Sequence, residues 1–287
     1  MPISLFRDKE PAPSRSSVWG GALIGRRSEQ QDAFLAEWLP FEQAWLIAIA
    51  DGMGGHNAGA TASRIAIEEF RNEFVRLRRA GAGLEHALRA SIETANSHIA
   101  REQQRASERA GMGTTIVAGH HSDRGLAWIS IGDSPLWLFR RHSLRRLNDD
   151  HSLRAVAKAG TAVQGNALLS ALHGEPPAMV DCHADPVPTC SGDLVLFASD
   201  GILTLGDRRI EDRLGRCATA HPETIARSLL SDVAAHDDPR QDNCTVVVLS
   251  VSGSGPRRLL GRAMRRLRIG KMLAASAVSV LPALLFP

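Results

Sequence analysis

The chain has 287 residues, of which 44% are apolar and 23% charged; this excludes wholesale disorder and suits one globular domain, or two small ones, with a substantial core. Its net charge of +3 comes from residues 257–271, which hold seven of the 34 basic residues. The other 27 basic and 31 acidic residues give no charge-based case for nucleic acid binding. Four cysteines without C-x-x-C spacing, and charges where a secretory signal would be apolar, indicate an intracellular protein.

The first third of the chain predicts an arm, a group of strands and two helices. Residues 1–16 are polar and contain Pro11 and Pro13, so we expect a flexible arm. Short apolar runs broken by turns predict strands over residues 18–50. The apolar period then changes to that of a helix over residues 58–79, and a second helix follows Gly83. Two long helices in succession predict an antiparallel pair that covers one face of a sheet.

Strands return in the second half of the chain. We predict them at residues 114–119, 126–131, 136–140, 193–199 and 244–251, with a helix over residues 222–235. Residues 153–192 are irregular apart from a short helix near residues 152–159, which is typical of a flap or lid. Because strands and helices do not alternate regularly, the order favours an antiparallel α+β sandwich over residues 17–252.

Acidic residues stand at the ends of the strongest apolar runs. Asp51 and Asp200 each end such a run and are followed by glycine, and Asp242 opens a third run. Asp32 closes an arginine-rich turn that contains Arg27. Oxygen ligands suit hard cations such as Mg²⁺ or Mn²⁺, and glycine lets a backbone carbonyl come close.

If these acids converge, two divalent ions would relieve their mutual repulsion and hold a bridging water poised to attack phosphorus. Arg27 is then the natural group to grip two phosphate oxygens with its planar fork. For any one site the simpler interpretation is a solvated turn, because Asp-Gly is common there. The set as a whole favours the metal site.

The order of motifs resembles that of the metal-dependent type 2C (PPM-type) serine/threonine protein phosphatases in their bacterial form. The resemblance extends from about residue 19 to residue 252. The matching segments, in chain order, are Arg27 with Gln30-Gln31-Asp32, Asp51-Gly52-Met53-Gly54-Gly55-His56, Gly111-Met112-Gly113-Thr114-Thr115, Gly132-Asp133-Ser134, Asp149-Asp150-His151-Ser152, Asn166 with Leu168–His173-Gly174, Ser199-Asp200-Gly201 and Asp242-Asn243.

This resemblance implies an α-β-β-α sandwich in which two antiparallel sheets are flanked by helix pairs. It also implies two Mn²⁺ or Mg²⁺ ions: Asp51 would bridge both, the carbonyl of Gly52 would contact the second, and Asp200 and Asp242 would hold the first. Asp32 would act through a metal-bound water, and Arg27 would bind the substrate phosphate.

Some positions depart from the family pattern. Asp133 matches the residue that, with Asp200, carries a third metal in many bacterial members. Many of those members have an acid shortly after Ser-Asp-Gly, whereas this chain has Thr204-Leu205, which leaves the third metal open. Met53 replaces a histidine that is proposed as a general acid in animal members, so protonation of the leaving group must come from water or another group.

The implied function is hydrolysis of phosphoserine and phosphothreonine in proteins by a metal-bridged water, without a covalent intermediate. A cognate Ser/Thr kinase is the expected partner. One alternative is a pseudophosphatase that keeps the fold as a phosphoprotein-binding or scaffold module, which the intact acid set disfavours. Another is a phosphomonoesterase for small molecules, which would share the same chemistry.

The C-terminal segment, residues 253–287, is predicted to be a linker and tail. Its basic residues lie beside apolar residues at helical spacing and precede the uncharged residues 272–287. That composition suits an anionic membrane surface, although the apolar run is shorter than the roughly 20 residues that span a bilayer. We therefore expect a cytoplasmic protein that is attached to the inner face of the membrane, with partner binding or flexibility of the tail as the alternative.

Overall fold

The computed structural model describes residues 3–6, 16–55, 57–156 and 167–252. These form two antiparallel six-stranded sheets, packed face to face, with helices outside each sheet. The strands, in chain order, are β1 Ile3–Phe6, β2 Ser16–Leu23, β3 Asp32–Leu39, β4 Ala44–Met53, β5 Gly113–Thr114, β6 Ile116–Ser122, β7 Gly125–Ile131, β8 Leu136–Arg140, β9 Ser143–Arg146, β10 Asp181–Val187, β11 Leu194–Ala198 and β12 Cys244–Val251. The helices are α1 Ala58–Arg79, α2 Leu84–Arg105, α3 Leu153–Val156, α4 Asp207–Cys217 and α5 Pro222–His236.

The first sheet has the strand order β1-β2-β12-β11-β8-β9, and the second has the order β10-β7-β6-β4-β3, with the short β5 paired to β4. Central strands such as β4 and β12 are apolar on both faces because each sheet is covered by the other sheet and by helices. The predicted α-β-β-α sandwich of antiparallel sheets is therefore confirmed.

Three apolar layers hold the sandwich together. The α1–α2 pair packs on the second sheet, where the rings of Phe70 and Phe74 stack at 5.9 Å and are fully buried. Helices α4 and α5 pack on the first sheet. Between the sheets, a Cβ at Gly119 would lie 2.5 Å from the Phe197 ring, so glycine is needed for the sheets to approach this closely.

The helices α1 and α5 and the strands β8 and β12 lie within one residue of their predicted bounds. The sequence did not predict β9, β10 or α4, and the stretch predicted as irregular contains β10. Strand β10 is polar, contains Pro186 and lies at a sheet edge, so it lacks the apolar run that signals a strand. Helix α4 buries only Ile210 and Leu214, which is too narrow an apolar face to stand out among its charges.

The structure tests the prediction for the N-terminal segment but does not describe the C-terminal one. Residues 1–16 were predicted to be a flexible arm, whereas β1 within them pairs antiparallel to β2. The tail of residues 253–287 lies outside the described residues, as do residues 157–159 of the helix predicted near residues 152–159; the described part of that helix forms α3. Within the part of the chain that the structure describes, no helix has the length and apolar character needed to cross a membrane.

Candidate active site

The predicted acids reach one end of the sandwich from both sheets. Asp32 begins β3 and is the register partner of Asp51 near the end of β4. In the other sheet, Asp200 follows β11 and Asp242 precedes β12, the neighbouring antiparallel strand. Asp133 lies in the turn between β7 and β8. Residues that are up to 210 positions apart in the chain therefore meet, because the ends of their strands lie at the same end of the sandwich.

The acidic side chains at this end of the sandwich are close enough for their charges to raise the pKa of Asp51. Burial raises the pKa of Asp51 well above its ordinary value, and the nearby charges of Asp32, Asp200, Asp242 and Asp133 raise it further. This is the repulsion that the sequence predicted for converging carboxylates.

Asp32 is held in place by two hydroxyl groups. Ser199 Oγ and Thr245 Oγ1 both donate to its Oδ2 atom, each at 2.7 Å. Burial raises the pKa of Asp32 to about 7, while these two hydrogen bonds oppose the increase. The other oxygen, Oδ1, is buried and accepts no hydrogen bond among the described residues. One oxygen of Asp32 is thus fixed, and the other remains available to a water molecule.

The backbone around Asp51 is fixed by two threonines. Its carbonyl accepts from Thr114 Oγ1 at 2.8 Å and from the Thr115 N–H at 2.9 Å, and its own N–H donates to Thr115 Oγ1 at 3.2 Å. The next residue, Gly52, has no space for a side chain, because a Cβ there would lie 2.1 Å from the Gly59 carbonyl oxygen. The glycine of this motif is therefore a packing requirement as well as a possible approach for a metal.

Arg27 contacts the acid cluster directly. Its Nη2 atom donates to Oδ2 of Asp242 at 2.6 Å, and this hydrogen bond raises the pKa of the guanidinium, with the charges of Asp51 and Asp200 adding to the effect. The predicted phosphate-binding residue is therefore beside the predicted metal ligands.

Asn243 holds the loop that carries Arg27. Its Oδ1 accepts from the Gln31 N–H at 2.8 Å, and its Nδ2 donates to the carbonyls of Ile24 and Glu29 at 2.9 and 3.0 Å. A single buried side chain thus fixes both ends of the loop against the start of β12. The sequence placed Asn243 in a motif but gave no sign of this role, because the contacts join residues more than 200 positions apart.

Asp133 and Asp200 form the side of the cluster where a third metal was left open. The pKa of Asp133 is raised to about 7, first by burial and then by the charges of Asp200 and Asp150. The turn is held by His151, whose backbone N–H donates to the Gly132 carbonyl at 3.1 Å. The charges of Asp133 and Asp200 therefore act on each other, and the role of this pair in holding a third metal stays a prediction.

An open cavity of about 1020 Å³ lies above the acids. It is bordered by Arg27, Asp51, Asp133, Asp200 and Asp242, together with Gly52. Polar residues that the sequence did not single out also border it: Arg154, Asp238, Arg240 and Gln241. Arg154 lies in α3 and the other three lie in the loop between α5 and β12, and local sequence patterns do not reveal that these two segments border one cavity.

The donor set suits hard divalent cations, since it consists of carboxylates with raised pKa values and a buried oxygen of Asp32 that accepts no hydrogen bond. Within the described ranges, however, no three His, Cys, Asp or Glu side chains are arranged closely enough to hold one ion. Asp242 is turned to Arg27 and accepts a hydrogen bond from it at 2.6 Å. The residues fit two such ions by chemistry, while the ligand roles of Asp51, Gly52, Asp200 and Asp242 stay predictions.

Comparison with known proteins agrees with this geometry. The family model described as "Protein phosphatase 2C" matches residues 20–229. Serine/threonine phosphatase stp of Listeria monocytogenes is 31% identical over 171 residues, which cover 56% of this chain and 67% of that protein. The crystal structure of the serine/threonine phosphatase PstP of Mycobacterium tuberculosis has a TM-score of 0.68 at 25% identity and covers 83% of this chain and 99% of its own. The PstP catalytic domain solved with two manganese ions has a TM-score of 0.67, also at 25% identity, covering 83% of this chain and 99% of that one.

Proposed function

The chain belongs to the protein phosphatase 2C family and is a metal-dependent serine/threonine protein phosphatase that uses Mn²⁺ or Mg²⁺, and we propose that a water molecule held at a two-ion centre attacks the phosphorus of phosphoserine and phosphothreonine. The observation that carries this proposal is the convergence of Asp32, Asp133, Asp200 and Asp242 on Asp51; all of these except Asp32 border one open cavity, which Arg27 also borders. When bound, the two ions supply charge neutralisation and a water of lowered pKa.

Asp32 is suited to orient the attacking water. Because Ser199 and Thr245 occupy its Oδ2 atom, only Oδ1 is left to accept a hydrogen from that water. The carboxylate would hold this hydrogen bond as the water's oxygen approaches phosphorus, which fixes the direction of attack.

Arg27 binds the substrate phosphate in this proposal. Its guanidinium is planar and can give two parallel hydrogen bonds to phosphate oxygens. Its hydrogen bond to Asp242 uses Nη2 alone, so a phosphate that displaces this carboxylate from Nη2 would make it available as a metal ligand. Substrate binding and metal binding thus both involve the Arg27–Asp242 ion pair.

Two other functions compete with this one. A pseudophosphatase would keep the fold to bind a phosphoprotein, but the complete set of acids around one cavity argues against it. A phosphomonoesterase for small molecules would use the same residues. The cavity is large, about 1020 Å³, and open to solvent, which favours a protein loop as substrate.

The test is Mn²⁺-dependent release of phosphate from a phosphothreonine peptide by the intact protein and by Asp200→Asn. We expect release by the intact protein only, and faster release from the peptide than from p-nitrophenyl phosphate at equal concentration. Equal release by both proteins would contradict the enzyme assignment. Faster release from p-nitrophenyl phosphate would favour the small-molecule alternative.

We also propose that the enzyme opposes a cognate bacterial Ser/Thr kinase and acts at the cytoplasmic face of the membrane. The support is the family and the basic, then apolar, sequence of residues 257–287. Cell fractionation with and without those residues tests the location: an unchanged soluble distribution would contradict it. Loss of the kinase gene should reduce the phosphorylation of the same proteins that accumulate phosphate when this enzyme is removed.

A further inference from the structure

A second cavity, of about 490 Å³, lies between α4 and α5. It shares no residue with the candidate active site and is bordered by Leu205, Arg209, Arg213, Arg216, Asp232, Ala235 and His236. The three arginines lie at positions i, i+4 and i+7 of α4, so they project from one face of the helix toward α5. We call this cavity the α4–α5 arginine groove.

Internal contacts orient each arginine of the groove. Arg213 binds both carboxylate oxygens of Asp232 through Nε and Nη2. Arg209 contacts His236 Nδ1 through Nη1 at 3.0 Å. Arg216 donates from Nε to the Asp212 carbonyl at 3.2 Å. Because these contacts restrain the long side chains, a ligand would lose less conformational entropy in binding them than in binding unrestrained arginines.

Two of the arginines keep N–H groups for a ligand. In the hydrogen bonds found across the described ranges, Arg209 uses only Nη1 and Arg216 only Nε. Neither takes part in an ion pair within those ranges, whereas Arg213 is paired with Asp232. The remaining donors belong to planar guanidinium groups, whose geometry matches the oxygens of phosphate.

The charge balance of the groove favours an anion. Its border carries three arginines and one carboxylate, that of Asp232. Asp212 of α4 does not border the groove, and in the described part of the chain it forms no ion pair with these arginines. The C-terminal end of α5 contributes about half a negative charge, which stabilises the arginines. That offset is smaller than the excess of two positive charges left after Asp232 is counted.

We propose that the α4–α5 arginine groove binds a phosphate group, held by Arg209 and Arg216 with Arg213 fixed between them by Asp232. The group is either free inorganic phosphate or a phosphorylated residue of a protein. This site is additional to the catalytic phosphate site and does not depend on the proposed reaction.

The test is a titration of the Mg²⁺-bound full-length protein with inorganic phosphate, followed by ¹H–¹⁵N NMR at constant ionic strength. We expect saturable shifts in the backbone amides of α4 and of residues 232–236. The double variant Arg209→Gln/Arg216→Gln should weaken the affinity at these amides at least tenfold while leaving the shifts near Arg27 unchanged. The control Arg64→Gln/Arg89→Gln removes the same charge from exposed positions on α1 and α2 and should change the affinity less than twofold.

Phosphate-induced shifts that do not saturate, or that persist in the double variant, would overturn the proposal. An equal loss of affinity in the control would also overturn it, because net charge alone would then explain the binding. A second titration with a peptide that carries a phosphonate analogue of phosphothreonine, which the enzyme cannot hydrolyse, identifies the source: tighter binding of the peptide than of phosphate assigns the groove to phosphoproteins, and equal or weaker binding assigns it to free phosphate.

Discussion

Arg27 Nη2 lies 2.6 Å from Oδ2 of Asp242, although 215 positions separate the two residues in the chain. The pair joins the predicted phosphate-binding residue to a predicted metal ligand. About half of the Arg27 side chain is exposed, so the pair can open at modest cost. Each partner can then take the role that the family pattern implies.

Replacing Arg27 should separate these roles. We expect Arg27→Ala to raise the KM for a phosphothreonine peptide about tenfold or more, since a charged hydrogen bond contributes about 1.5–3 kcal/mol. The same change should tighten Mn²⁺ binding, because Asp242 loses its competing cation. Steady-state kinetics and calorimetric Mn²⁺ titration measure the two effects. Arg26→Ala, which removes an exposed arginine paired with Asp237, is the matched control and should change neither. Weaker Mn²⁺ binding by Arg27→Ala would contradict the competition.

Thr245→Val should reduce kcat with little change in KM. Valine keeps the shape of the buried threonine but cannot donate to Asp32 Oδ2. Losing this donor lets the carboxylate turn away from the attacking water, and we expect a fall of about tenfold, equivalent to about 1.4 kcal/mol. Thr189→Val, which removes the hydroxyl that contacts His121 Nε2, is the control. The role assigned to Thr245 is wrong if both variants have the same kcat as the unmodified protein.

Asn243→Ala should destabilise the protein and weaken substrate binding together. Three backbone groups that now bind its side chain would lose their partner, at a cost of about 1–3 kcal/mol for each group that stays unsatisfied. The loop carrying Arg27 would also lose its restraint. Denaturant unfolding and the KM for the phosphopeptide measure these effects. Asn72→Ala, at an exposed position on α1, is the control and should change neither quantity. An unchanged KM in Asn243→Ala would argue against the loop restraint.

Binding of Mn²⁺ should increase the unfolding free energy, because it relieves the repulsion between the acids of the active site. Adding Mn²⁺ at one hundred times its Kd should increase the unfolding free energy by about 2.7 kcal/mol. Asp51→Asn should abolish this gain, yet in a chelator it should be at least as stable as the unmodified protein, because the raised pKa of Asp51 reflects unfavourable burial of its charge. Thermal unfolding with Mn²⁺ and with EDTA checks both points. Asp123→Asn, in an exposed turn, should keep the full gain from Mn²⁺.

His121 should make the protein less stable in acid. Burial lowers its pKa to about 4 in the folded state, below the ordinary value of 6.5. Its neutral form is therefore favoured by folding, and stability falls as the pH drops from 6.5 toward 4. Between pH 7.5 and pH 5 this group should account for a loss of about 2 kcal/mol. Denaturant unfolding of His121→Gln should show a smaller loss over that interval. His86→Gln, at an exposed position on α2, should match the unmodified protein.

The sequence alone determined most of the secondary structure and the identity of the acids. The predicted bounds of α1 and β12 agree with the structure because each has a strong local signal: helical spacing of Phe70 and Phe74, and the apolar run 246–249 after Asn243. The acids stood out because Asp51 and Asp200 end such runs beside glycine. The order of these motifs also indicated the family and, through it, the fold.

The tertiary structure decided how these residues contact one another. It pairs Asp32 with Asp51 across β3 and β4, directs Ser199 and Thr245 to one oxygen of Asp32, and holds Arg27 against Asp242. It also faces the arginines of α4 toward α5. No local pattern contains this information, because each contact joins segments that are distant in the chain and become neighbours only when the two sheets and their helices pack together.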